Sequence, residues 1–131
     1  MKTKIFVPNL TLTIAKRPAF KPYIPIKGGT PMKKCRITVM KRAIHDDLIE
    51  KYENPIEHAC DMKIGQEFIS HDGKKPDGFC DSAWENLSTY VMVLAHGGGN
   101  FYDGWMKNPK SAMISCNDGF RPVSFYIEVI D

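Results

Sequence analysis

No stretch of the 131 residues approaches the ~20 consecutive apolar positions that a membrane-crossing helix needs, so no membrane association is expected. The N-terminus places two lysines ahead of an apolar run, as signal peptides do. Pro8 and Asn9 break that run, and Lys16-Arg17 follow it without a small-x-small cleavage site, so the protein reads as cytoplasmic. Acidic residues are missing from positions 1–31, which carry Lys2, Lys4, Lys16, Arg17, Lys21 and Lys27. Removing those six from 18 basic residues leaves 12 against 15 acids, so residues 32–131 sum to −3 although the whole chain is +3. A basic footprint would therefore lie on the extension and not on the domain, and nucleic acid is not an expected partner. Cys-x-x-Cys, His-x-x-x-His and G-x-S-x-G spacings are also absent, which removes the common zinc-ribbon, zincin and hydrolase signatures.

What remains is a chain of 43% hydrophobic and 25% charged residues, the composition of one ordinary globular domain. Residues 1–31 depart from it, holding five of the nine prolines. Each proline removes a backbone donor and restricts its predecessor, so neither a long helix nor a central strand suits this segment. One reading is a basic arm that docks on a partner. A second is genetic. Lys27-Gly28-Gly29 is encodable as a purine-rich ribosome-binding sequence, Thr30-Pro31 supply a spacer, and Met32 opens "MKKCRITVMKR". We therefore expect residues 1–31 to be an extension outside the fold, translated upstream sequence, and residues 32–131 to be the domain.

Within that domain, Cys35, Ile37 and Val39 alternate with Arg36, Thr38 and Met40, the period of a half-buried strand. His45 or Asp46 opens a short helix with an apolar stripe at Leu48, Ile49 and Tyr52, stopped by Asn54-Pro55. A short strand is expected around Glu67–Ser70. A longer helix follows Cys80, with a capping box from Ser82 to Glu85, an apolar face at Trp84, Leu87, Val91 and Leu94, and Gly97 at its end. Asp118-Gly119 predicts a two-residue hairpin turn that pairs Cys116 with Arg121, Ile114 with Val123 and Ala112 with Phe125, with Val123, Phe125, Ile127 and Val129 facing the core. The order is β-α-β-α-β-β, an α+β fold with a small mixed or antiparallel sheet and a C-terminal hairpin.

Chemistry-bearing residues gather at element boundaries. Cys35 shares a face with Ile37 and Val39 and reads as a buried structural thiol. Cys60 lies in a loop after His58. Cys80 precedes a helix start, where exposed amides and the dipole favour a thiolate. Cys116 ends a strand. Convergence of Cys60, Cys80 and Cys116, completed by His58 or Asp81, would make a thiolate site for zinc or an iron–sulfur centre. The alternatives are a thiol enzyme with Cys80 as the reactive group, and an interaction protein with buried cysteines. Arg121, opposite Cys116 in the expected register, would suit a thiolate or a small anionic ligand. "HGGGN" at 96–100 is similar to an esterase oxyanion loop but reads better as a helix stop and loop. Phe101, Tyr102, Trp105 and Met106 then offer aromatic surface for a pocket or a homo-oligomer contact.

The motifs "GQEFIS", "PDGFCDSAW", "GG" after a helix and "CNDGFRPVSFYIE" together resemble a small prokaryotic family frequent in anaerobes. Its members are roughly ninety residues long, a single-domain size. The resemblance covers about Lys33 to Val129 and stops near Met32. It implies roles for Cys60, Cys80, Trp84, Cys116, Asp118, Gly119, Arg121 and Pro122, and no activity, because none is assigned to the family. Many members carry an aromatic after Cys-Asp where this chain has Ser82.

Overall fold

A computed structural model describes residues 31–131, and the expectations for the extension before Pro31 lie outside the described residues. Among the described residues the elements run β1 (Cys35–Arg42), α1 (Asp46–Tyr52), β2 (Glu67–Ser70), α2 (Asp81–Ala95), β3 (Ser111–Ser115) and β4 (Val123–Val129). The strands form one sheet in the order β2-β1-β4-β3, and every neighbouring pair is antiparallel. The fold is α+β, as the residue pattern predicts.

Alternation decides which face of the sheet is covered. Cys35, Ile37 and Val39 of β1 are buried, as are Val123, Phe125 and Ile127 of β4. Opposite them α2 lays down Ala83, Leu87, Val91 and Leu94 at helical spacing, all buried. Phe79 closes one end of this core, edge-on to Phe68 at 4.9 Å between ring centroids and tilted against Phe125 at 5.3 Å. The buried Ser70 and Ser111 hydroxyls each donate to a main-chain carbonyl, on Lys74 and Asn108, so neither loses a hydrogen bond by burial. β1 also carries a bulge between Val39 and Lys41, which realigns its last two residues against Val123 and Ser124.

Three local expectations are corrected by the structure. The capping box does not form: Cys80 is the N-cap, Ser82 lies inside the first turn, and no side chain caps the helix. Glu85 instead accepts from Asn117 Nδ2 at 3.2 Å, tying α2 to the β3–β4 connection. The hairpin is two residues out of the expected register, with Ile114 opposite Phe125 and Ala112 opposite Ile127. A shift of two keeps each side chain on its face, so the inward set is unchanged. The physical reason is the turn: Asp118 Oδ1 accepts from the amides of Phe120 and Arg121 at 2.8 and 3.1 Å, and Gly119 has no positive φ. This Asx-type loop replaces the left-handed two-residue turn. Finally, the apolar stripe of α1 is not core. Leu48 and Tyr52 are exposed and no residue of the helix is buried. Backbone bonds from Ala43 to Pro122 and from His45 to Phe120, both 2.9 Å, hold the chain leading into α1 beside that loop.

Cys35 is fully buried, in the position expected of a structural thiol. Burial pushes its thiol up from the ordinary 9.0 to about 11, and the nearby Asp131 carboxylate adds to the effect. The folded state therefore holds this proton more tightly than the unfolded chain does. The resulting stability is complete below about pH 9 and is lost as pH rises through about 11. Denaturant midpoints measured across that window should fall less steeply in Cys35→Ala than in the unaltered protein. Parallel curves would show that Cys35 does not contribute the slope.

Candidate functional site

The other three cysteines, each from a different part of the chain, line one cavity of about 150 Å³. Cys60 and Met62 come from the α1–β2 connection, Cys80, Ser82 and Ala83 from the start of α2, and Cys116, Asp118 and Arg121 from the end of β3 and the loop after it. Val123 and Phe125 of β4 form the floor, where the site meets the core. Clefts that bury drug-sized ligands run to roughly 300–1,000 Å³, so this one suits a molecule of few heavy atoms.

Main-chain amides fix two of the three sulfurs. Cys116 Sγ accepts from Val123 N at 3.3 Å, while its own amide donates to Val123 O at 3.0 Å. Cys60 Sγ accepts from Met62 N at 3.5 Å, and the Cys60 carbonyl is gripped by Arg42 Nη2 at 2.6 Å. Among the described residues no hydrogen bond reaches Cys80 Sγ. As the N-cap residue its backbone is extended, at φ −61° and ψ 124°, and its carbonyl accepts from Trp84 N at 2.9 Å.

Arg121 lines the cavity but not in the way the expected register implies. It does not face Cys116 across the ladder. Its Nη1 donates to both carboxylate oxygens of Glu53, at 2.8 and 2.9 Å, and the two side chains are only 20% and 13% exposed. The bond joins the residue after α1 to the β3–β4 loop. Asp118, also on the cavity wall, commits one oxygen to the amides of its own turn.

The remaining expected site residues are elsewhere. His58 is exposed and does not line the cavity. Asp81 is exposed and paired with Lys75, in the first turn of α2 where an acidic side chain complements the helix dipole. Trp84 stands edge-on to Phe79 with centroids 6.2 Å apart, at the margin of the core. Among the described residues no group of three or more His, Cys, Asp or Glu side chains is placed to hold a metal ion, so the sets completed by His58 or Asp81 are not assembled. In the 97–106 loop, Phe101 packs on Tyr90 at 4.9 Å, while Tyr102 and Trp105 lie exposed.

Sequence reasoning missed Met62, Ala83, Val123 and Phe125 as cavity walls and Glu53 as the partner of Arg121. Val123 and Phe125 were legible as core, and only the tertiary arrangement shows that the core opens beside them. Glu53 and Arg121 are 68 positions apart, and neither carries a local signal of the other. No described helix is long and apolar enough to cross a membrane. No protein-family profile, curated protein or solved structure matches the chain.

Proposed function

We propose that this protein is a small thiol-dependent module whose cavity binds a compact ligand, with Cys80 as the reacting thiol and Cys60 and Cys116 beside it. The observation that carries this reading is the convergence of three cysteines, from three separate segments, on one space. Burial alone does not account for it. Cys35 is the one cysteine fully inside, whereas the other three are half-buried at a cavity wall. Cys80 is assigned the reacting role because the sulfurs of Cys60 and Cys116 each already accept an amide hydrogen. Its place at the start of a 15-residue helix puts the unpaired amides and positive dipole end next to any developing thiolate.

Alkylation of the native protein followed by mass mapping tests this. Cys80 should label first, Cys60 and Cys116 next, and Cys35 only after unfolding. A small thiophilic molecule held in the cavity should protect all three together. Equal, slow labelling of all four thiols would remove the reading and leave an interaction protein with inert cysteines.

A second reading, a metal- or cofactor-binding module carrying zinc or an iron–sulfur centre, is favoured by the amide bonds to Cys60 and Cys116. Such bonds support ligated thiolates. Among the described residues the three cysteines are not placed as a set that could hold a metal ion, so this reading requires them to rearrange. Stoichiometric zinc or iron in anaerobically purified protein would select it over the first.

A further inference from the structure

The thiol cavity has a charge arrangement that limits what enters it. Two charged side chains, Asp118 and Arg121, are on its wall. Arg121 alone would make the space attractive to anions. Glu53 removes that attraction by taking Arg121 Nη1 on both carboxylate oxygens, at 2.8 and 2.9 Å, within a pair that is largely shielded from solvent. In such surroundings water screens charge poorly, so the cancellation is felt at the wall. With Arg121 balanced, Asp118 is the uncompensated charged side chain on the wall itself; Arg42, which grips the Cys60 carbonyl, is exposed and its charge is screened by solvent.

We propose that Glu53 is a specificity-determining residue: by holding Arg121 it makes the cavity select small uncharged thiophilic molecules over anionic ones. The inference rests on the thiol-site reading above and names the ligand class of that site. It replaces the small anionic ligand that the residue pattern suggested for Arg121. The remaining walls agree with it, since Met62, Ala83, Val123 and Phe125 offer apolar and thioether surface to a ligand without charge.

Two alkylating agents of nearly equal size and opposite demand on charge provide the test. Iodoacetamide is neutral and iodoacetate is an anion, and the ratio of their rates at Cys60, Cys80 and Cys116 reports the charge those thiols see. In the unaltered protein iodoacetamide should be favoured beyond its preference at a free thiol in solution, and added salt should shrink the excess. Glu53→Gln should lower the ratio by about tenfold, because Arg121 becomes an uncompensated cation at the wall. Arg121→Gln should move it the other way, leaving Glu53 unpaired, and the double variant should return near the original value.

Opposite shifts from the two single variants distinguish charge from simple loosening, which would speed both reagents alike. Continued inertness of Cys35 reports that each variant is folded. If either variant fails to fold, the salt dependence of the unaltered protein still decides. Cavity thiols that react with no salt-sensitive preference would overturn this inference while leaving the thiol site standing. Thiols that react with neither reagent would overturn both.

Discussion

Phe125→Ala is expected to destabilise the protein by about 3–5 kcal/mol, the usual cost of emptying an aromatic site in a core. Among the described residues Phe125 is the largest of the fully buried side chains, 1% exposed, in the middle of the inward row of β4. It packs against Phe79 at 5.3 Å, and Ile114 stands opposite it on β3. Truncation would remove its contact with Phe79 and with the α2 side of the core, and would join the vacated space to the thiol cavity. The same variant should therefore expose Cys60, Cys80 and Cys116 to larger alkylating agents than the native cavity admits. Urea denaturation gives the stability, and labelling rates with reagents of graded size give the opening. A loss under about 1 kcal/mol, no more than an ordinary point mutation costs, would mean that Phe125 does not anchor this core.

Gly99→Ala is the second large effect. Gly99 has φ +156°, and a methyl group there would run into the Pro109 carbonyl oxygen, which already accepts from Asn100 N at 2.7 Å. The alanine therefore meets a backbone atom that cannot move without losing a hydrogen bond. Overpacking of about 1–3 kcal/mol and backbone strain of about 1 kcal/mol should combine to about 2–4 kcal/mol. Gly104 is the comparison. It has φ +91° with nothing within 4 Å of an added methyl, so Gly104→Ala should show the strain alone, about 1 kcal/mol. Thermal or urea midpoints for the pair separate the two causes. Equal losses would place the cost in φ and not in the approach of Pro109. This test also bears on "HGGGN", whose glycines serve close packing and loop geometry: Gly97 takes φ +88° after the helix, and Lys110 Nζ donates to the carbonyls of Gly97 and Gly98.

Sequence periodicity was sufficient for the fold class. Alternation at Cys35–Ile37–Val39 and Val123–Phe125–Ile127, and helical spacing at Leu87–Val91–Leu94, each place a buried face without reference to any distant residue. Local readings lost accuracy where a short motif had two workable outcomes. Asp118-Gly119 can form a tight left-handed turn or an Asx loop, and these differ by two residues of register while leaving the same side chains inward. Ser82 and Glu85 have the spacing of a capping box, yet the helix starts two residues earlier, with Cys80 as its N-cap, and Glu85 reaches Asn117 instead.

At the candidate site, the sequence by itself determined that Cys80 and Cys116 sit at element ends and that Cys35 belongs inside, whereas Cys60 lies midway along the α1–β2 connection and not at an element boundary. The resulting predictions hold because burial and helix starts are written in neighbours a few positions away. Only the tertiary structure decided that those three thiols share a cavity with Met62 and Phe125, that His58, Asp81 and Trp84 do not line it, and that Arg121 is held by Glu53. Such pairings depend on how strands and loops are brought together in space, and a salt bridge between positions 53 and 121 leaves no periodic trace in the chain that encodes it.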